Sequence, residues 1–144
     1  MPDKLDDIVA ELQARIDDDT LERYGPVGYD RWKHMKFAGA VDNANGCGRV
    51  RGACGDTMQM FLRFANGVVA EAGYVTDGCG SSQVCGSFAA ELAIGKSAEE
   101  LADFQGQAIL DLLGGLPEED QHCAHLAAET VKEAAGDYLR NGGE

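Results

Sequence analysis

Residues Cys54 to Ser82 read CGDTMQMFLRFANGVVAEAGYVTDGCGSS, and the rest of the chain is organised around them. Two β-type runs, Thr57–Ala65 and Val68–Thr76, flank Asn66-Gly67. Asn-Gly between apolar runs is a strong hairpin signal, because a type I′ turn needs φ > 0 at both central residues. A hairpin closing there brings its open ends together. Cys54-Gly55-Asp56 precedes one strand and Gly78-Cys79-Gly80 follows the other. Two thiols and a carboxylate, distant in sequence, thereby meet at one sheet edge.

Within the first hairpin strand, Met58, Met60, Leu62 and Phe64 share a face by the two-residue side-chain period. They read as core, the two methionines included. Strict pairing through a two-residue turn would set Glu71 opposite Leu62 on the buried face. A bulge near Ala70-Glu71 turns Glu71 outward and brings Ala72 and Tyr74 inward. Gly48–Ala53 is a third candidate strand, ending at Cys54.

Working outward, Leu5, Ile8, Val9, Leu12 and Ile16 fall on one face of a helix over about residues 4–18, with Asp3 as N-cap. Residues 19–46 hold Gly25-Pro26, Gly28, Gly39 and Gly46 and show no sustained period, so they read as irregular chain. Trp32 within them reads as a packing anchor. After the hairpin, Ser81 or Ser82 caps a helix running to about Ile94, with Val84, Cys85, Phe88 and Leu92 as its apolar stripe. Ser97-Ala98-Glu99-Glu100 fits a capping box for a short helical piece. Gln105 to Leu113 follows as another, stopped by Gly114-Gly115. The last helix runs from about His122 to Leu139, with Leu126, Ala127, Val131, Ala134 and Tyr138 inward. The expected fold is α+β: a three-stranded antiparallel sheet with helices packed on one face, a two-layer sandwich of order α-β-β-β-α-α-α.

The 144 residues suit a single domain, with a core region of about 46–140 behind an N-terminal helix and irregular segment 1–45. The formal net charge of −13 disfavours nucleic acid and anionic membranes as partners. Acid is concentrated at the start, from Asp3 to Glu22. The smaller basic cluster of Arg23, Arg31, Lys33 and Lys36 reads as solvated surface. No apolar run is long enough to span a bilayer, and the N-terminus lacks the pattern of a signal peptide. A cytoplasmic location is expected. In that reducing setting five cysteines, at 47, 54, 79, 85 and 123, read as free thiols for metal or chemistry rather than a disulfide framework.

Three of these thiols sit at structural punctuation: Cys54 before a strand, Cys79 between two glycines before a helix, and Cys123 in the first turn of the last helix. None belongs to a C-x-x-C pair, so a zinc ribbon and a thioredoxin motif lack support. Glycine neighbours admit close approach by a ligand, and helix N-termini favour the thiolate. Asp56 offers a hard oxygen ligand and His122 an imidazole nitrogen. Cys85 reads as a buried core thiol and Cys47 as a loop residue. His34 and His125 read as surface or satisfied histidines, His125 standing near enough to support His122.

Ala53-Cys54-Gly55-Asp56, Asp77-Gly78-Cys79-Gly80-Ser81-Ser82, and Leu116-Pro117 followed by His122-Cys123 together resemble the NifU/IscU-type iron–sulfur cluster assembly scaffolds. The resemblance covers about residues 46–140. It implies that Cys54, Cys79 and Cys123 hold a nascent iron–sulfur cluster, in the 2Fe–2S form or else as 4Fe–4S. Asp56 or His122 would complete the site, or Asp56 would keep the cluster loosely held. It implies a cysteine desulfurase as sulfur donor and apo iron–sulfur proteins as acceptors. Zinc would occupy the same ligands in protein isolated in air.

The chain departs from that family at Leu116-Pro117-Glu118-Glu119-Asp120. There a second proline and a lysine presented to a dedicated chaperone are replaced by acid, which speaks against chaperone recognition. The alternative function is a zinc-dependent sulfurtransferase accepting persulfide from a desulfurase. That branch of the family carries an insertion between the first two cysteines, where this chain has only the hairpin. A Cys123–His thiol hydrolase ranks last, since adjacent Cys and His rarely aim at each other on a helix.

Overall fold

The computed structural model describes residues 4–53, 55–114 and 116–142. Asp3, Cys54 and Gly115, each named above, lie outside the described residues. The elements run α1 (Lys4–His34), β1 (Gly46–Arg51), β2 (Thr57–Ala65), β3 (Val68–Thr76), α2 (Gly80–Ala93), α3 (Ala98–Ala102), α4 (Gly106–Leu113) and α5 (Gln121–Arg140), with one 3-10 turn at Glu118–Asp120 before α5. The order is α-β-β-β-α-α-α-α. The extra member is the short α3, opened by the expected capping box: Ser97 Oγ accepts from Glu100 N, and Glu100 Oε1 from Ser97 N.

The strands pair antiparallel in the order β1-β2-β3. Asn66 and Gly67 take φ of 56° and 81°, as a type I′ turn demands. The register slips between Arg63 and Phe64, so that Ala72 faces Leu62 and Tyr74 faces Met60. Glu71 turns outward and accepts from Arg63 at 2.7 Å. This is the expected bulge, and it keeps a carboxylate out of the core. β1 begins two residues earlier than expected, at Gly46, and ends at Arg51. Cys47, expected in a loop, therefore lies on a strand, exposed, with its N–H donated to Asp137.

The inner sheet face carries Met58, Met60, Leu62 and Phe64, all buried against Val84, Cys85 and Phe88 of α2 and Leu126, Val131 and Tyr138 of α5. Phe64 stacks on Tyr138 at 3.9 Å. α5 lies directly on β1: a Cβ on Gly48 would sit 2.5 Å from Ala134 N and 2.7 Å from Thr130 O. The outer edge of β3 is not left open. Phe37 and Gly39 bond to Tyr74, and Gly95 and Lys96 bond to Val69, which covers the edge against pairing with another chain.

The N-terminal region differs most from expectation. Helix continues through residues 19–34, expected to be irregular, and breaks direction only at Gly25, whose φ is 76°. Pro26 opens the second helical piece, where its missing N–H has no cost. That piece turns Gly28 and Arg31 inward, not an apolar stripe, which is why no period betrays it. Arg31 and Arg23, expected as solvated, both find partners. Arg31 is buried over the Phe88 ring at 4.1 Å and donates to Ser87 and Glu91. The apolar stripe expected on the first piece does share one face, but that face is exposed.

Candidate metal centre

Two tight loops close the open end of the hairpin. Gly52 N donates to Asp56 O and Gly55 N to Gly52 O, with Gly55 at φ 94°. Across from it, Asp77 Oδ1 accepts from Thr57 N at 2.7 Å, and Thr76 Oγ1 donates to Thr57 O at 2.8 Å. Asp77 thus ties the two loops together. Gly78 gives Asp56 its room: a Cβ there would lie 2.8 Å from Asp56 Oδ2 and 2.5 Å from Ser82 Oγ.

Into this space the start of α5 delivers His122 and Cys123. Single ligand atoms of Asp56, His122 and Cys123 all lie within 4.8 Å of one another. Asp56 is half-buried, His122 exposed and Cys123 buried, so the group has one open side. His122 Nε2 stands 3.6 Å from Cys123 Sγ. Cys79 is the N-cap of α2 and is exposed. Its thiol lies near enough to Cys123 to push that thiol's pKa up. Of the five residues singled out from the sequence, four therefore converge, and Cys54 lies outside the described residues.

Neither Ser81 nor Ser82 caps α2. Ser82 is instead buried in the site, 3.2 Å from Asp56 Oδ2 and 3.4 Å from Cys123 Sγ. Its one hydroxyl proton has two acceptors to choose between, the carboxylate and the sulfur. Burial lifts the Cys123 thiol from 9.0 to about 11, and the Ser82 hydrogen bond works against that rise. The thiolate expected from the helix N-terminus is thus opposed by desolvation until a cation arrives. Serine at that place was legible only as a cap, because nothing local says which way its hydroxyl points.

The last helical turn before Gly25 also reaches the site, which sequence reasoning missed. Tyr24 Oη lies 3.3 Å from Ser81 Oγ and against Gly80, where a Cβ would come within 2.7 Å of it. Arg23 donates twice to buried Asp120, two residues before His122. A mostly apolar groove of about 300 Å³ opens on the other side, lined by Val50, Ala53, His122, His125 and Leu126. His125 is exposed, as expected. Thiol, imidazole and carboxylate on one open site suit a thiophilic cation such as iron or zinc.

The chain belongs to the NifU/IscU family: the family described as NifU-like N terminal domain matches residues 23–143. The chain is 31% identical over 122 residues to the iron-sulfur cluster assembly scaffold protein IscU 1 of Archaeoglobus fulgidus, spanning 84% of this chain and 80% of that one. It is 34% identical over 114 residues to the iron-sulfur cluster assembly scaffold protein IscU of Haemophilus influenzae, 76% of this chain and 90% of that one. The fold matches the crystal structure of the N-terminal part of a nitrogen-fixing NifU-like protein from Brucella abortus. There the TM-score is 0.62 at 20% identity, covering 83% of this chain and 96% of that one.

Proposed function

We propose that this chain is a scaffold, a carrier rather than a turnover catalyst. An iron–sulfur cluster is assembled on it from iron and desulfurase-derived sulfur, then passed to apo-proteins. The supporting observation is the meeting of Asp56, His122, Cys123 and Cys79 at one open sheet end, on a chain of this family. Cys54 joins the set on the family motif alone. Three thiolates with a carboxylate or imidazole make a less closed shell than four cysteines, which suits cargo that must leave. The cluster is 2Fe–2S in this reading, with zinc on the same ligands in protein isolated in air.

A cytoplasmic setting keeps the thiols reduced. Among the described residues no helix is long and apolar enough to cross a membrane. The partners are a cysteine desulfurase and apo iron–sulfur acceptors. A chaperone reading the Leu116–Asp120 segment loses support, because acid replaces the family's proline and lysine there and Asp120 is buried under Arg23. The sulfurtransferase alternative loses support from β2 and β3, which join through a two-residue turn with no insertion.

Anaerobic reconstitution with iron, sulfide and reductant tests the proposal. Wild type should develop thiolate-to-iron absorption, and Cys54→Ala, Cys79→Ala and Cys123→Ala should each abolish a stable cluster. Assembly equal to wild type in all three variants overturns it. Activation of a desulfurase by the zinc-loaded protein without iron would favour the sulfurtransferase instead.

A further inference from the structure

The arm of α1 over residues 4–22 precedes the family match, which begins at Arg23. On that arm Leu5, Val9, Leu12 and Ile16 stand 62%, 56%, 51% and 49% exposed, and Ile8 beside them 53%. Among the described residues the core takes nothing from α1 before Tyr24. Scattered exposed aliphatics are ordinary, but a contiguous stripe of them on one helix face marks an interaction surface.

The spacing of the stripe identifies what covers it. Leu5, Val9, Leu12 and Ile16 alternate at four, three and four residues, the seam of a coiled coil, with Val9 and Ile16 at a and Leu5 and Leu12 at d. The acid of the arm falls elsewhere. Asp7, Glu11, Asp17 and Asp18 occupy b, c and f positions on the far face. Beside the seam, from residue 4 to 17, stand Asp6, Ile8, Gln13 and Arg15, one acid and one base. A surface built for a basic partner would place its carboxylates along the rim; this rim is neutral and matches a second copy of itself.

We propose that two copies of this chain pair through these arms as an antiparallel two-helix coiled coil about a two-fold axis. In that direction the seam closes on itself, with Leu5 opposite Ile16 and Val9 opposite Leu12 of the second copy. Asp6 then lies beside Gln13, and Ile8 beside Arg15. A parallel pair would set Asp19, at the next d position, against its own equivalent, and would bring two cores of the −13 chain side by side. Antiparallel pairing also opposes the two helix dipoles favourably. The two stripes together cover on the order of 1,000 Å², the lower bound for a specific interface, so the dimer is reversible. Arg23 and Tyr24 fix the base of the arm to the core, so pairing through residues 5–16 leaves the metal centre undisturbed.

Sedimentation of the full chain across the micromolar range tests this. Wild type should pass reversibly from monomer to dimer. Leu12→Asp should stay monomeric with the thermal midpoint of the core unchanged. Leu12→Ala, which keeps helix propensity, should weaken dimerisation about tenfold or more. Small-angle scattering of the dimer should show two lobes, because the paired arms separate the cores by roughly 40 Å. A wild type that is monomeric throughout, a dimer indifferent to Leu12→Asp, or a compact single-lobed dimer each overturns the proposal.

Discussion

Arg23 grips Asp120 across 97 residues of sequence, with Nε and Nη2 at 2.9 and 2.5 Å from one carboxylate oxygen. The pair joins the end of the α1 arm to the turn that launches His122 and Cys123. Asp120 is nearly buried while Arg23 is half-exposed, so the two ends of the bridge are not equivalent. Removing the arginine leaves a carboxylate with poor hydration, whereas removing the carboxylate frees an arginine that water can solvate.

Arg23→Met should therefore lower the thermal midpoint more than Asp120→Asn does, and both should shorten cluster lifetime by loosening the turn before His122. The double variant should be less damaging than the sum of the singles, since each removes the same contact. Thermal unfolding and chelator kinetics on the four proteins check this. Additive losses would mean that the bridge does not act as a unit.

Asp56 and Ser82 tune the same centre in opposite senses. Asp56 supplies a hard oxygen among soft sulfurs, so Asp56→Ala should retain a reconstituted cluster longer under chelator challenge. Ser82→Ala removes the hydrogen bond that favours the Cys123 thiolate and should lower zinc affinity about tenfold at neutral pH. Chelator half-life and competitive zinc titration read the two effects. Equal or faster cluster loss in Asp56→Ala would remove that role from the carboxylate.

Metal-free protein should lose stability in alkali. Burial raises the thiol of Cys85 well above 9.0, that of Cys123 to about 11, and the phenols of Tyr24 and Tyr74 above 10.0. Below those ordinary values the groups are neutral whether the chain is folded or not. Above them the unfolded chain ionises first and binds fewer protons than the folded one, so stability falls as pH rises. The urea midpoint should drop between about pH 8 and pH 10. Cys85→Ala should flatten that slope. A midpoint constant over the interval would contradict the buried, neutral state of these groups.

Gly48→Ala tests the contact between sheet and helix. The added methyl would meet backbone atoms of α5, Ala134 N and Thr130 O, at 2.5 and 2.7 Å. Neither can swing aside as a side chain would, so the helix must shift on the sheet. A loss of about 1–3 kcal/mol is expected from urea unfolding. Because α5 carries Cys123, cluster lifetime should fall with it. An unchanged midpoint would mean that α5 and β1 are packed more loosely than their geometry implies.

How far the sequence reached depends on the range of the interaction concerned. The hairpin, its turn and its bulge were legible because Asn66-Gly67 fixes the register locally, and a misplaced Glu71 would have buried a charge. The stripes of α2 and α5 were legible for the same reason, a period set by one element. The three-motif pattern also named the candidate ligands, of which Asp56, Cys79, His122 and Cys123 meet at the open end of the hairpin. What stayed hidden involves partners distant in sequence. Helix 26–34 buries an arginine, whose neutralising contacts with Ser87 and Glu91 come from α2. Ser82 read as a helix cap because its hydroxyl finds Asp56 and Cys123 only when two loops and a helix start converge.

The sequence by itself determined the hairpin, the sheet order, the helices after the sheet and the identity of the candidate ligands, since propensity, periodicity and motif act within a few residues. Tertiary structure alone decided which groups surround those ligands. It set Ser82 beside Cys123, Tyr24 over Gly80 and Arg23 on Asp120, and it raised the Cys123 thiol by taking it out of water. Desolvation and long-range pairing depend on what the folded chain brings near, and no window of neighbouring residues contains that information.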